Sequence, residues 1–409
     1  MTRARLPWSG LLPGVLLPNL CYATGRGAVV PVIPLLAVEL GVGYAGAALV
    51  AAMLTVGELV TTITATWLVL RIGERGAMFV GAALTAAGSV LAVLATDAAL
   101  LGIGVLLIGS ASAIYLMARQ AWVAVAVPRH QRGRAYSLVA GSQRLGMLVG
   151  PFLSAVIIST AHHERWAFVV PIVASAFVPV ILLSWPVEPE PVELDLGTDP
   201  VTGAHSGVLR TFVQRRDVLL RLGSAAGVLA SMRAVRLIIV PLWGAGLGLS
   251  AVQVTLVVGV CNFIDVALFY VGGWVTDQVD SRWVGVPTLT AYALAHGGLA
   301  LSGVLPAEIQ IYIGLSLFMA VANGISSGFI ATMAADLADP RRPAAFLGPW
   351  RLVTETFNAG VPLLFATVTG AVSLVAAAAS MGTLALAGAV AMWVYIPRFS
   401  TDKGTPSRE

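Results

Sequence analysis

Residues 100–127 carry one charged side chain, Arg119, and residues 361–396 carry none. Both runs exceed the ~20 residues with which an α-helix crosses the hydrocarbon core of a bilayer. A spanning backbone has to satisfy its own polar groups, so runs of this kind fold as helices. Composition agrees: 58% of the 409 residues are hydrophobic and 11% are charged, with a mean hydropathy of +0.88. Soluble domains hold roughly 25% charged residues. The fold class this predicts is an all-α membrane protein in contact with lipid.

Polar and Gly/Pro clusters divide the chain into twelve transmembrane helices, near residues 11–38, 45–70, 76–96, 99–126, 133–160, 165–185, 218–244, 251–276, 283–304, 308–335, 344–369 and 373–396. The start of the chain, with Arg3 and Arg5, has the look of a signal peptide. Its apolar stretch runs on to about residue 38, however, and holds Arg26 and four prolines, so it is read as an uncleaved first span. Sixteen Lys and Arg residues fall in one set of loops and tails, Arg71, Arg75, Arg129, Arg282 and Arg341 among them, and Arg165 alone falls in the other. By the positive-inside bias both termini are cytoplasmic, in a multi-pass protein of the cell (plasma) membrane. The net charge of +4 therefore reflects loop orientation and implies no nucleic-acid partner.

The chain also repeats itself. At an offset of 207 residues Arg26 matches Arg233, Glu58 matches Asp265, Trp67 matches Trp274, Arg75 matches Arg282 and Arg144 matches Arg351. One offset joining so many rare residue types implies two parallel copies of a six-helix unit. The boundaries are an N-terminal bundle at 1–185, a cytoplasmic linker at 186–217, and a C-terminal bundle with tail at 218–409. The linker opens on the acidic, proline-rich residues 186–193, and residues 207–216 read as a short amphipathic surface helix. Two parallel halves of an apolar chain are the plan of a membrane transporter whose site lies between the halves.

Twelve spans in two parallel copies resemble the major facilitator superfamily, over the whole chain. The family's loop motif between its second and third helices occurs twice in weakened form. In the first copy Leu68, Arg71, Gly73 and Arg75 match, while Thr66 replaces a Gly and Leu70 replaces an Asp. In the second copy Gly273, Asp277 and Arg282 match, and Asp280 replaces the inner Gly. The resemblance implies that this loop locks the cytoplasmic gate, with an Asp facing a helix N-terminus. That makes Asp277 the better candidate for the lock. The fifth span carries Gly146, Gly150, Pro151 and Ser154, similar to a motif of the superfamily's drug:proton antiporters. Physically, such a stripe of small residues admits a neighbouring helix, and the proline permits a bend. Tight packing and an antiport marker are both consistent with it.

Charges within spans cost at least ~2.5–3.5 kcal/mol each on insertion scales, so they need partners or a wet cavity. Arg26 with Glu58 and Arg233 with Asp265 are read as two structural ion pairs, or else Glu58 or Asp265 carries a coupling proton. The superfamily lines its cavity with helices one, four, seven and ten. The resemblance therefore implies Arg26, Tyr115, Arg119, Arg233 and Asn323 as cavity residues, with Asn262 beside them in span eight. Tyr115 and Arg119 share a helix face at i, i+4 spacing. Arg351 and Glu355 pair at the same spacing, and His296 reads as a hydrogen-bonded structural histidine. His162 and His163 lack metal-site companions in the sequence, and Cys21 and Cys261 form no framework. No cofactor, metal or catalytic constellation is expected, which argues against an enzyme. The reading is a monomeric secondary transporter that exchanges protons for small hydrophobic or amphipathic compounds and exports them. Its alternatives are proton-coupled uptake of a polar or anionic metabolite, or a non-transporting sensor.

Overall fold

The computed structural model describes residues 11–127, 131–184, 214–302, 308–338 and 343–399, without the side chains of Ile63, Thr276, Asp277 and residues 343–345. The linker up to residue 213, the basic residues Arg3, Arg5, Arg129, Arg210, Arg341, Arg342, Lys403 and Arg408, and the Asp277 side chain lie outside that description. Among the described residues the chain is helical, with no strand. Eleven helical stretches among the described residues are long and apolar enough to cross a membrane. The eleventh predicted span is also a helix, Pro343–Ala371, but is not one of these, as Arg351, Glu355 and Asn358 dilute its first half.

Span one folds as α1 (Leu17–Val29), entered by a π-turn at Leu12–Leu16, and α2 (Val32–Glu39). Pro31 marks the division, because proline cannot donate to the helix ladder. Spans two and three form one continuous run, α3 (Gly43–Val93), turned at Gly73 with φ 75° and ψ 171°. That backbone region is essentially reserved for glycine. The expected loop between these spans thus shrinks to a single-residue corner.

Next come α4 (Ala98–Ala126), α5 (Arg132–Ala161), a 3₁₀ turn at Glu164–Phe168 and α6 (Val169–Ser184). Asp97 caps α4, its Oδ1 accepting from the Leu100 N–H at 2.9 Å. In the second half α7 is Arg216–Gly246, α8 Ala251–Gln278 and α9 Ser281–Ser302. Span ten is broken into α10 (Glu308–Ile325) and α11 (Phe329–Leu337), and the chain ends in α12 (Pro343–Ala371) and α13 (Leu374–Phe399). The break follows from Gly328 at φ 84°, whose left-handed backbone stops the helical hydrogen bonding.

Two compact units emerge: Met1–Leu196 with Leu237–Phe263, and Gly197–Arg236 with Ile264–Glu409. In the first, α5 lies against α1 with almost no space between the backbones. A Cβ at Gly150 would meet Ala28 N and Gly27 C, and one at Gly146 would meet Leu20 O at 2.7 Å. The Ser154 hydroxyl donates to Ala28 O at 2.7 Å, fixing the register of the two helices. The core beside them is built on Tyr115 and Trp122 of α4, each only 1% exposed, with Met78, Val123 and Leu182.

Candidate functional site: buried charges in two helical units

The first unit holds Arg26 of α1 against Glu58 of α3, with Nη1 to Oε1 at 2.7 Å. Both side chains keep about a fifth of their surface exposed, at 21% and 20%. Two turns earlier on α1, Asn19 is fully buried and accepts from Arg119 Nη1 through its Oδ1 at 2.6 Å. The Asn19 amide then donates to Val139 O at 2.9 Å and Ser142 Oγ at 2.8 Å on α5. One asparagine therefore ties α1, α4 and α5 together while presenting a neutral oxygen to a cation.

Tyr115 shares the Arg119 face, but it is buried and does not line an open space. Its ring stacks on Tyr22 with centroids 4.3 Å apart and planes 5° from parallel, and Tyr22 bonds Ser112 through its hydroxyl at 2.7 Å. The pair forms a rigid aromatic wall one turn from the guanidinium. Asn262, in the α8 segment that belongs to this unit, donates to Met147 O at 2.8 Å and is also buried.

The second unit departs from the expected pairing. Asp265 pairs with Arg236, not Arg233, with Oδ2 accepting from Nη2 at 2.6 Å. Their side chains are 7% and 10% exposed, so this pair is drier than its counterpart. Arg236 lies one helical turn beyond Arg233 on α7, and the repeat register alone gave no signal for it. Two arginines at i, i+3 on one helix were the available clue.

Arg233 turns instead to the break in span ten. Its Nη2 donates to Ser326 O at 2.7 Å and to Ser326 Oγ at 2.9 Å. The same carbonyl accepts from Phe329 N at 3.2 Å. A broken helix exposes backbone carbonyls in an apolar setting, and a guanidinium with its fan of donors satisfies them. Asn323 sits half-buried at the end of α10, its carbonyl accepting from Ser327 Oγ at 3.2 Å.

The other candidates sit apart from these clusters. Arg71 lies over the Trp67 ring at 5.1 Å and Arg282 over Trp393 at 4.9 Å, as basic anchors at helix ends. Arg75 is half-buried in the first loop motif, and Gly73 makes the corner described above. Gly273 of α8 has open space where a Cβ would go, so it serves no close contact. Pro151 lies inside α5 beside the packed Gly150. Arg351 and Glu355 approach at 3.9 Å, and Asn358 donates to Glu355 at 3.3 Å. His296 is fully buried, with Nδ1 2.8 Å from Tyr292 O. His163, by contrast, has the companions that the sequence did not reveal: Glu39 lies 3.1 Å from its Nε2 and Glu164 3.8 Å from its Nδ1. The Glu39 contact spans more than a hundred residues, which is why local spacing missed it.

A chain of membrane-spanning helices with charges held inside each unit is the plan of a secondary transporter, and sequence comparison agrees. The profile of the Major Facilitator Superfamily matches residues 15–354, so the chain belongs to that superfamily. The fold is similar to that of a POT family transporter solved in complex with 5-aminolevulinic acid, with a TM-score of 0.78, 14% identity, and coverage of 96% of this chain and 97% of that one. A D-xylose-proton symporter aligns with a TM-score of 0.75 and 14% identity over 97% and 99% of the two chains. The xylose transporter XylE from E. coli, in an inward open conformation, aligns at 0.71 and 14% over 97% of each chain. No curated protein matches the sequence.

Proposed function

We propose that this transporter couples proton entry to uptake of a small anionic or strongly polar metabolite, by alternating access of two six-helix halves at 1–185 and 218–409. The carrying observation is a surplus of positive charge inside each unit. Beyond the Arg26–Glu58 pair stands Arg119, bound to the neutral Asn19. Beyond the Arg236–Asp265 pair stands Arg233, bound to the neutral Ser326. A guanidinium kept in a low-dielectric setting on neutral acceptors retains most of its attraction for an anion. Arg119 and Arg233 are thus the cargo anchors, and the Tyr22–Tyr115 stack stiffens the wall beside Arg119.

Glu58 is the proposed proton carrier, because its pair is the wetter of the two and a proton must reach it. Asp265 is then a structural partner. Proton symport is also the activity named for one of the fold neighbours. The antiport reading drew on the fifth-span glycines, and those glycines are fully occupied in packing α5 against α1. Small-residue packing of that kind is common to membrane helices whatever they carry.

The test is direction and charge of cargo. Cells that overproduce the protein and cells that lack it are compared for small anions by mass spectrometry, and candidates are then offered to proteoliposomes under an imposed pH gradient. Uptake driven by an acidic outside, lost in Glu58→Gln while cargo exchange without a gradient persists, is the expected result. Over-accumulation of an amphipathic dye in cells lacking the protein, with no anion transported, would return the assignment to proton-driven efflux.

A further inference from the structure

We propose that Glu39, His163 and Glu164 form a binding site for a divalent transition-metal ion of the zinc class, on the membrane face opposite the Gly73 corner. The three side chains come from two places in the first unit. Glu39 is the last residue of α2, and His163 and Glu164 lie in the turn from α5 to α6. One ligand atom from each lies within 4.8 Å of the other two. Carboxylate oxygens thus flank the imidazole on both sides, with Glu39 3.1 Å from Nε2 and Glu164 3.8 Å from Nδ1.

Charge favours occupation. A carboxylate oxygen of Glu39 and one of Glu164 lie within 4.8 Å of each other. Two carboxylates that close repel, and a shared proton or a bound cation relieves the repulsion. The backbone N–H of Arg165 approaches His163 Nδ1 at 3.3 Å, which makes Nδ1 the acceptor and leaves Nε2 to face Glu39. Metal at Nε2 would place the ring proton on Nδ1 and give up the 3.3 Å contact with the Arg165 N–H. Glu39 already faces Nε2, and one ligand atom of Glu164 lies within 4.8 Å of one from each of the other two.

The donor set selects the ion. One imidazole nitrogen with two carboxylates suits zinc and its neighbours, whereas calcium prefers six to eight oxygens. Three protein ligands leave room for water on the exposed side, where Glu39 is 42% exposed. Arg165, the adjacent cation, opposes binding and sets an upper limit on affinity. Bound metal would tie the end of α2 to the α5–α6 turn and so stabilise the first unit by linkage.

The experiment is zinc titration of the purified full-length protein in detergent, by calorimetry and by thermal unfolding. One equivalent bound, with a raised unfolding temperature that calcium does not reproduce, is expected. His163→Ala should abolish the shift, and Glu39→Gln should weaken binding by at least about tenfold. Cobalt in place of zinc supplies a second readout, since its visible absorption reports coordination number and geometry. Failure of the wild type to bind zinc or cobalt at millimolar concentration overturns the proposal. So does equal binding by His163→Ala with a wild-type circular dichroism spectrum, or an equal response to calcium. None of these readouts depends on transport.

Discussion

The two units each set one arginine against a carboxylate and a second arginine against a neutral acceptor, but they do so on different helices. In the first, Arg26 takes the carboxylate and the extra cation, Arg119, sits on α4 with its acceptor on α1. In the second, the extra cation is Arg233 on α7, and its acceptor, Ser326, lies at the broken span ten. Ser326 stands 207 residues after Arg119, so acceptor and cation have exchanged helices between the copies. Charge type is shared, while the helix that supplies the charge is free to change. A duplicated fold can keep its electrostatics without keeping its residues.

Several variants sharpen or break this comparison. Arg236→Met leaves Asp265 buried without its guanidinium, which should cost about 3–5 kcal/mol. The wetter Arg26→Met should cost clearly less, as read by unfolding temperature and by monodisperse yield in detergent. Equal losses would erase the distinction between a structural pair and a proposed proton-carrying one. Asn19→Ala removes the oxygen on which Arg119 rests and should cost about 1.5–3 kcal/mol, the range for hydrogen bonds to charged groups. A smaller loss would mean that Arg119 finds another acceptor and is not held ready for cargo.

Packing offers a third contrast. At Gly150 the neighbours of a new methyl are backbone atoms of α1, whereas at Gly227 of α7 they belong to the Phe357 side chain. Gly150→Ala should cost about 1–3 kcal/mol through overpacking. Gly227→Ala should cost less, because a ring can swing aside. The smallest effect is expected from Ser326→Ala, about 1 kcal/mol, since Arg233 keeps the Ser326 carbonyl. A large loss there would mean that the hydroxyl, not the carbonyl, holds the arginine.

The amino-acid sequence discloses the helical class, the spans and the Arg26–Glu58 pair because those follow from local hydropathy and from the cost of isolated charge. The Arg233–Asp265 pairing failed for a definable reason. Repeat register matches positions, and Arg236 has no counterpart arginine at Val29. Tyr115 followed Arg119 by helical periodicity, which places residues on a face but does not say which neighbour covers it. Here Tyr22 covers it. Asn19 and Ser326 were missed because a single neutral polar residue in a span carries no periodic signal. The cluster around His163 depended on a contact with Glu39 that only the folded chain creates.

One feature of α3 bears on how mutation samples this molecule. Its two arms join at Gly73 alone, at a backbone geometry that residues with a side chain avoid. Every missense change at a glycine codon adds a side chain, so no conservative replacement exists at that corner. The long apolar arms can drift through many aliphatic alternatives, while the genetic code gives the corner nowhere to go.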